Sequence, residues 1–298
     1  MKKHPIATIV NFCSNESRFL RATLEQALLF SKQVIVPVCD HFFDGSPENL
    51  PLLETIYSAF PECLFIEYPY LPKKIPKKIL KKVDLAHFWH SLSRLIAVSF
   101  LDEEIETVLF LDADEVPEGK KFAQWLDCSD YRQHTTLKLS NFWYFRDPAN
   151  QALKFEDSVV LVQKKALESE ILLHQDERDA IYNLLPGPKR RNVTGVDGKP
   201  MFHHYSWVRT QAEMLQKVKA WGHKGDRDWA SLVHEEFSGP FRGTDFVHGY
   251  HYQLVKPPFE IRFEPPQFEA KGAPKIKRLK EEELLKHVRQ KRFWELAF

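Results

Sequence analysis

Val108-Leu109-Phe110-Leu111-Asp112-Ala113-Asp114-Glu115-Val116-Pro117 decides the fold. Apolar residues run without alternation straight into carboxylates. A strand hidden on both faces, as in a parallel sheet, has this pattern because neither side meets water. Pro117 and Gly119 are breakers and predict the end of the strand. The acids then fall at the carboxyl end of a core strand, the edge at which open α/β sheets take ligands. Asp112 and Asp114 are two apart and share a side. Carboxylates that close repel one another unless a cation lies between them. Oxygen ligands suit a hard divalent ion, Mg2+ or Mn2+, which also takes phosphate oxygens. The stretch points to a metal–diphosphate site; the plainer alternative is a solvated strand end followed by an acidic turn.

Upstream, Ile6–Phe12, Val34–Cys39 and Cys63–Glu67 read as buried strands. Between them lie helix patterns: one after the caps Ser14-Asn15-Glu16-Ser17, with Phe19, Leu20, Leu24, Ala27 and Leu28 at helical spacing, and one over 47–60. A further helix over 85–101, capped by Asp84, turns Phe88, Leu92, Leu95, Ile96 and Phe100 inward. This alternation predicts a parallel sheet with right-handed crossovers. Pro69 to Lys82, rich in Pro and Lys, reads as an exposed loop or a phosphate- or membrane-facing lip.

Downstream, a short helix runs to about Leu126. Thr135–Phe145 and Ser158–Gln163 form an antiparallel addition with its turn at Asp147-Pro148-Ala149-Asn150. Residues 174–200 read as a long loop, and long loops in compact domains are usually functional. Met201–Trp207 is one more strand, followed by a helix from the Thr210 cap to about Trp221. Gly222–Pro258 shows no clear period. Lys275–Phe298 reads as a basic helix with Leu279, Leu284, Leu285 and Val288 on one side; it packs on the domain or makes peripheral contact with a membrane surface.

With 43% apolar and 28% charged residues the chain can build a sizeable core. A net charge of +1 gives no general pull toward nucleic acid or an anionic membrane. Cys13, Cys39, Cys63 and Cys128 form no CxxC pair, which suits reduced thiols rather than a zinc site. The first apolar run is too short for a signal sequence, and none approaches the ~20 residues of a span. A cytoplasmic location is expected.

Several separated pieces together resemble a GT-A-fold glycosyltransferase, nearest the large family-2 group of nucleotide-diphospho-sugar transferases. The first strand leads into Asn15-Glu16, the second ends in Asp40 and continues to Asp44-Gly45-Ser46, Arg94 lies on the helix before the central strand, and Asp112-Ala113-Asp114 stands as the DxD motif. Phe202-His203-His204-Tyr205-Ser206-Trp207 resembles the late His-Tyr-Ser segment, followed by a helix carrying Lys217. The likeness covers roughly residues 5–225. It implies an αβα sandwich with a mostly parallel sheet, a GT-A-like domain over 1–258, and a C-terminal extension over 259–298. It also implies a UDP- or GDP-linked sugar donor, a glycan, lipid-linked or protein acceptor, and Mn2+ or Mg2+. By the resemblance, Asp112, Asp114 and His204 hold the metal, and Asn15, Asp40, Asp44, Arg94 and Asp112 hold the nucleotide sugar.

His203 and His204 are adjacent on a strand and face opposite sides, so at most one reaches the metal. An inverting transfer needs a carboxylate for the acceptor proton. Asp176 and Glu177 lie near where related transferases carry a His-Glu pair; Glu156, Asp157, Asp226 and Asp228 are further candidates. Two rivals remain. The acid run also resembles the first motif of haloacid-dehalogenase phosphatases, with Asp112 as nucleophile, although that motif normally opens its domain. A non-catalytic nucleotide-sugar-binding module is the other.

Overall fold

The computed structural model describes residues 3–42, 45–74, 85–220, 227–264 and 266–288. Its first half alternates strand and helix: β1 (His4–Asn11), α1 (Ser17–Phe30), β2 (Ser31–Cys39), α2 (Leu50–Ala59), β3 (Leu64–Tyr68), α3 (Leu85–Val98) and β4 (Thr107–Asp112). Strands β3, β2, β1 and β4 lie side by side and parallel. Asn11 pairs with Asp112, so β1 and β4 end level.

Both faces of β4 are covered, which explains its unbroken apolar run. Leu109 and Leu111 pack among Leu24 of α1 and Ile56 of α2. Val108 and Phe110 pack among Phe88, Trp89 and Ile96 of α3. The result is the expected αβα sandwich with a mostly parallel central sheet.

The second half runs β5 (Glu115–Pro117), α4 (Gly119–Cys128), β6 (Thr136–Phe145), β7 (Asp147–Gln163), α5 (Ser169–Leu172), α6 (Glu177–Leu184), β8 (Lys189–Val193) and β9 (Phe202–Trp207). It continues with α7 (Gln211–Ala220), α8 (Trp229–Glu236), β10 (Tyr252–Leu254), β11 (Lys275–Arg278) and α9 (Glu281–Val288). Across the sheet the order is β11-β3-β2-β1-β4-β7-β6-β9-β5, with β8 on β6 and β10 on β7.

Four expectations need correction. β4 ends at Asp112, not at Pro117. The Ala113 amide donates to Asn11 and the Tyr205 amide to the Asp114 carbonyl, so the chain passes from β1 to β9 and starts β5 there. At the end of the sheet order, β5 tolerates Pro117. Gly119 then lets the chain pass α1: a Cβ there would lie 2.4 Å from the Gln26 carbonyl.

The β6–β7 turn falls at Arg146, which takes a left-handed φ of 61°, and Asp147–Asn150 already belong to β7. They are held there because Asn150–Ala152 pair with β10. Residues 174–200 are not one loop: Ala180, Ile181 and Leu185 are buried, fixing α6, and β8 pairs with β6. Lys275–Arg278 is not helical but adds to the free edge of β3, and the helix starts only at Glu281, with Leu279 and Leu284 buried in the α3-side layer. Gly222–Pro258 also contains α8 and β10.

Asp44, Asp84, Trp221, Asp226 and most of the Lys-rich segment lie outside the described residues, as does the end of the C-terminal helix pattern. Cys13, Cys39, Cys63 and Cys128 are unpaired. Among the described residues no helix is long and apolar enough to cross a membrane.

Candidate active site

A cleft of about 1000 Å³ opens over the carboxyl ends of β1 and β4; Asn11, Asp112, Asp114, Arg178, His204 and Lys217 are among its walls. The acids of the DADE run do not share one environment. Asp112 and Glu115 are bridged by the Arg178 guanidinium from α6. Its Nη2 donates to Asp112 Oδ2 and to Glu115 Oε1, both at 3.0 Å, and its Nη1 donates to Glu115 Oε2. The other Asp112 oxygen faces His90 Nε2 at 3.3 Å and Arg94 Nη2 at 3.5 Å. Burial opposes the charge on Asp112, but Arg178 and His90 outweigh it and hold its carboxyl well below the usual range.

Glu115 is wholly buried and saturated. Besides Arg178 it accepts from the Asp112 amide at 2.9 Å and from Ser158 Oγ at 2.6 Å. It ties β4, β5, β7 and α6 together under the cleft.

Asp114 differs. It is 5% exposed, and its Oδ1 accepts no hydrogen bond among the described residues. His204 Nε2 stands 3.5 Å from that oxygen. His204 Nδ1 also lacks a hydrogen-bond partner, at 3.8 Å from Glu115 Oε1. Burial works against charge on His204, but Asp114 and Glu115 raise its pKa above the ordinary value. On the other side Arg209 Nη2 is 3.8 Å from Asp114 Oδ2 and donates to both Glu16 oxygens at 2.6 and 2.7 Å. Lys217 lines the cleft with its ammonium 5.8 Å over the Trp207 ring. Burial and the nearby Arg209 depress its pKa, an environment that an arriving anion would relieve.

Strand alternation separates the two histidines. His203 faces away from Asp114, bonded to Tyr144 Oη at 2.7 Å and to Glu118 Oε1 at 3.0 Å. Glu177 reaches the site but not as an open carboxylate. It meets His87 and His90 at 2.8 Å each and both Arg94 terminal nitrogens at 3.2 Å. Burial opposes its charge, yet His90 and Arg94 hold its carboxyl well below the usual range, which suits a structural anion and not a proton acceptor. Asp176 beside it is exposed on the cleft.

Arg94 is 1% exposed, so it holds Asp112 and Glu177 from beneath rather than reaching into the cleft. Asn15 lines the cleft and accepts from the Cys13 thiol at 2.7 Å. Asp40 Oδ1 accepts from the Tyr70 amide and bonds His41 Nδ1, both at 2.7 Å. Sequence reasoning missed Arg178, His87 and His90. His87, His90 and Arg94 fall three and four apart on α3, one helical face leading into β4, and that spacing was the available signal.

Among the described residues no three His, Cys, Asp or Glu side chains are grouped to hold a metal ion on their own. Asp114 Oδ1 and His204 Nε2 nonetheless suit a divalent ion as a pair. Asp114 Oδ1 is buried without a hydrogen bond, His204 Nε2 stands 3.5 Å from it, and both residues line a cleft with room for phosphate and water ligands. Asp112 does not suit it while Arg178 is in place.

No protein-family model matches the chain, and no curated protein matches it. Among solved structures it is similar to the glycosyltransferase GlyE of Streptococcus pneumoniae TIGR4, at 12% identity and a TM-score of 0.39, over 80% of this chain and 64% of that one. It thus spans less than two thirds of GlyE. It is also similar to the galactosyltransferase LgtC, solved with donor and acceptor sugar analogs, at 11% identity and a TM-score of 0.39, over 78% of this chain and 97% of that one.

Proposed function

We propose that this protein is a metal-dependent glycosyltransferase of the family-2-like GT-A kind. It would move a sugar from a UDP- or GDP-linked donor to an acceptor hydroxyl, with inversion. One observation carries the proposal: a buried carboxylate oxygen without a hydrogen bond, Asp114 Oδ1, faces His204 Nε2 at the carboxyl end of the parallel strands. A native fold keeps such a group under-bonded at a cost, and binding sites are where that cost is met.

Asp114 and His204 would hold Mn2+ or Mg2+, which when bound supplies positive charge to the departing diphosphate. Lys217, and Arg209 behind it, add fixed positive charge on the same side. Asn15 on the cleft wall would contact the base and ribose, the role the sequence resemblance also gives to Asp40 and Asp44. Arg178, Arg94 and His90 keep Asp112 ionised and oriented beside the donor. Asp176 is the open carboxylate of the expected catalytic pair. The phosphatase alternative fares worse, since both oxygens of its nucleophile Asp112 already meet cationic side chains.

Thermal denaturation with nucleotides tests this directly, because a ligand that binds only the native state raises Tm. UDP or GDP should raise Tm with Mn2+ present and not without it, and Asp114→Ala should abolish the shift. Free phosphate release from a phosphomonoester, with no nucleotide-dependent shift, would favour the phosphatase. A shift without sugar turnover would favour a binding module.

A further inference from the structure

Beyond His204 the cleft continues into a second set of side chains that the metal–diphosphate pair does not use. Trp143 of β6 is the link. Its ring meets His204 edge-on at 4.8 Å and His248 edge-on at 5.0 Å. His248 Nε2 lies 3.8 Å from Glu156 Oε1, and its ring stacks on Tyr250 at 5.0 Å. Glu156 and Ser158 of β7 both line the cleft, on a stretch where the pairing with β6 shifts register. Trp143, Glu156, Val247 and His248 all line the cleft.

The loop that presents His248 is held from within. Asp245 is 3% exposed, and its carboxylate accepts from the amides of Val247 and Tyr250 at 2.7 and 3.1 Å and from the Tyr252 hydroxyl at 2.8 Å. Trp143 and Val247 pack in a core with Trp207, Trp229 and Val233. The group is therefore fixed before any ligand arrives, as a positioning site requires.

Its chemistry differs from the donor end. Among the described residues no arginine or lysine pairs with Glu156; its neighbours are His248 and the Tyr250 phenol, which burial and Glu156 push up to about 12. A flat indole beside a carboxylate and an imidazole matches a sugar ring, whose C–H face is apolar and whose edge carries hydroxyls. Lys154 stands at this end with its ammonium 5.0 Å over the Tyr250 ring and in no ion pair with Glu156 among the described residues, whereas Arg209 and Lys217 stand beside Asp114.

We propose that Trp143, His248 and Glu156 form the acceptor subsite, that the acceptor presents a neutral sugar, and that Glu156 takes the proton of the attacking hydroxyl. This rests on the donor assignment above. In the step, the acceptor oxygen forms its bond to the anomeric carbon while the bond from that carbon to the β-phosphate oxygen breaks with its electron pair. The hydroxyl proton passes to a Glu156 oxygen, and the nucleoside diphosphate leaves. Glu156 fits the role better than Glu177, whose charge is neutralised by His87, His90 and Arg94.

The test uses the full chain, Mn2+, a panel of UDP- and GDP-sugars, and mono- and disaccharide glycosides as acceptors, with products read by mass spectrometry. Glu156→Gln should keep the Mn2+-dependent UDP or GDP thermal shift and lower transfer by about 100-fold or more, flattening the acidic limb of the pH–rate profile. His248→Ala should raise the acceptor KM more than it lowers kcat. Transfer at the wild-type rate by Glu156→Gln, or its loss in Asp176→Asn alone, overturns the subsite and leaves the donor assignment standing. A wild-type protein with no Mn2+-dependent nucleotide shift overturns the donor assignment, and the subsite with it.

Discussion

Asp112 and Asp114 are two residues apart and have opposite surroundings. Around Asp112 the protein supplies its own cations: Arg178 on one oxygen, His90 and Arg94 on the other. Around Asp114 it supplies a histidine, with Arg209 farther off at 3.8 Å from Oδ2, and leaves Oδ1 without a hydrogen bond. Two acids on one side must be neutralised, and this fold does so by two means. One half is closed by ion pairs within the chain, and the other half stays open to a ligand. The closed half sets the geometry, and the open half can do chemistry.

The sharpest way to break that contrast is to remove the open half. Asp114→Ala or His204→Ala should reduce sugar transfer by on the order of 10²–10³-fold, as loss of a transition-state charge stabiliser does. The fold should survive, since Asp114 Oδ1 makes no hydrogen bond; circular dichroism and turnover measured together check this.

The closed half should fail differently. Arg94→Met removes the buried guanidinium that Asp112 and Glu177 share, leaving Asp112 to Arg178 and His90 and Glu177 to His87 and His90, and losing one partner of a buried pair costs up to about 3–5 kcal/mol. Chemical denaturation should show that loss, and a variant of wild-type stability would mean the ion pairs are idle. Arg178→Gln should interchange the two halves in part. With the guanidinium gone, Asp112 and Glu115 face each other, and Mn2+ affinity by calorimetry should rise by roughly tenfold, the scale on which a metal's outer partners act.

The smallest effect is on pH. Burial opposes the charge on His90, but Glu177 outweighs burial, and with Asp112 it raises the His90 pKa above its ordinary 6.5 despite nearby Arg94. The stability this supplies is complete below pH 6.5 and fades as pH rises through the higher folded value. Glu177 is displaced the other way, so its share is complete above its ordinary 4.5 and fades as pH falls through the lower folded value. Tm should therefore fall on both sides of the range between 4.5 and 6.5, and His90→Gln should flatten the alkaline side.

Much of this was legible in the chain. The β4 run announced a strand covered on both faces, and its acids had to end at the ligand edge. Alternation along β9 separated His203 from His204. What could not be read was the partner of each acid. Between Asp112 and Glu115 the chain supplies its own cation, Arg178. It arrives on an eight-residue helix inside a stretch that reads as loop because so few of its residues are apolar. Arg94 was visible as a cation before the central strand, but only packing shows that it lies under the cleft. The tail was misread at Lys275–Arg278 because a free strand edge elsewhere in the fold decides its state.

The most direct test is anomalous diffraction at the manganese edge from crystals grown with Mn2+ and UDP or GDP. The account predicts a peak bound by Asp114 Oδ1 and His204 Nε2, with Arg178 still bridging Asp112 and Glu115. A peak held by Asp112 and Glu115 with Arg178 displaced, or none beside Asp114, would contradict it.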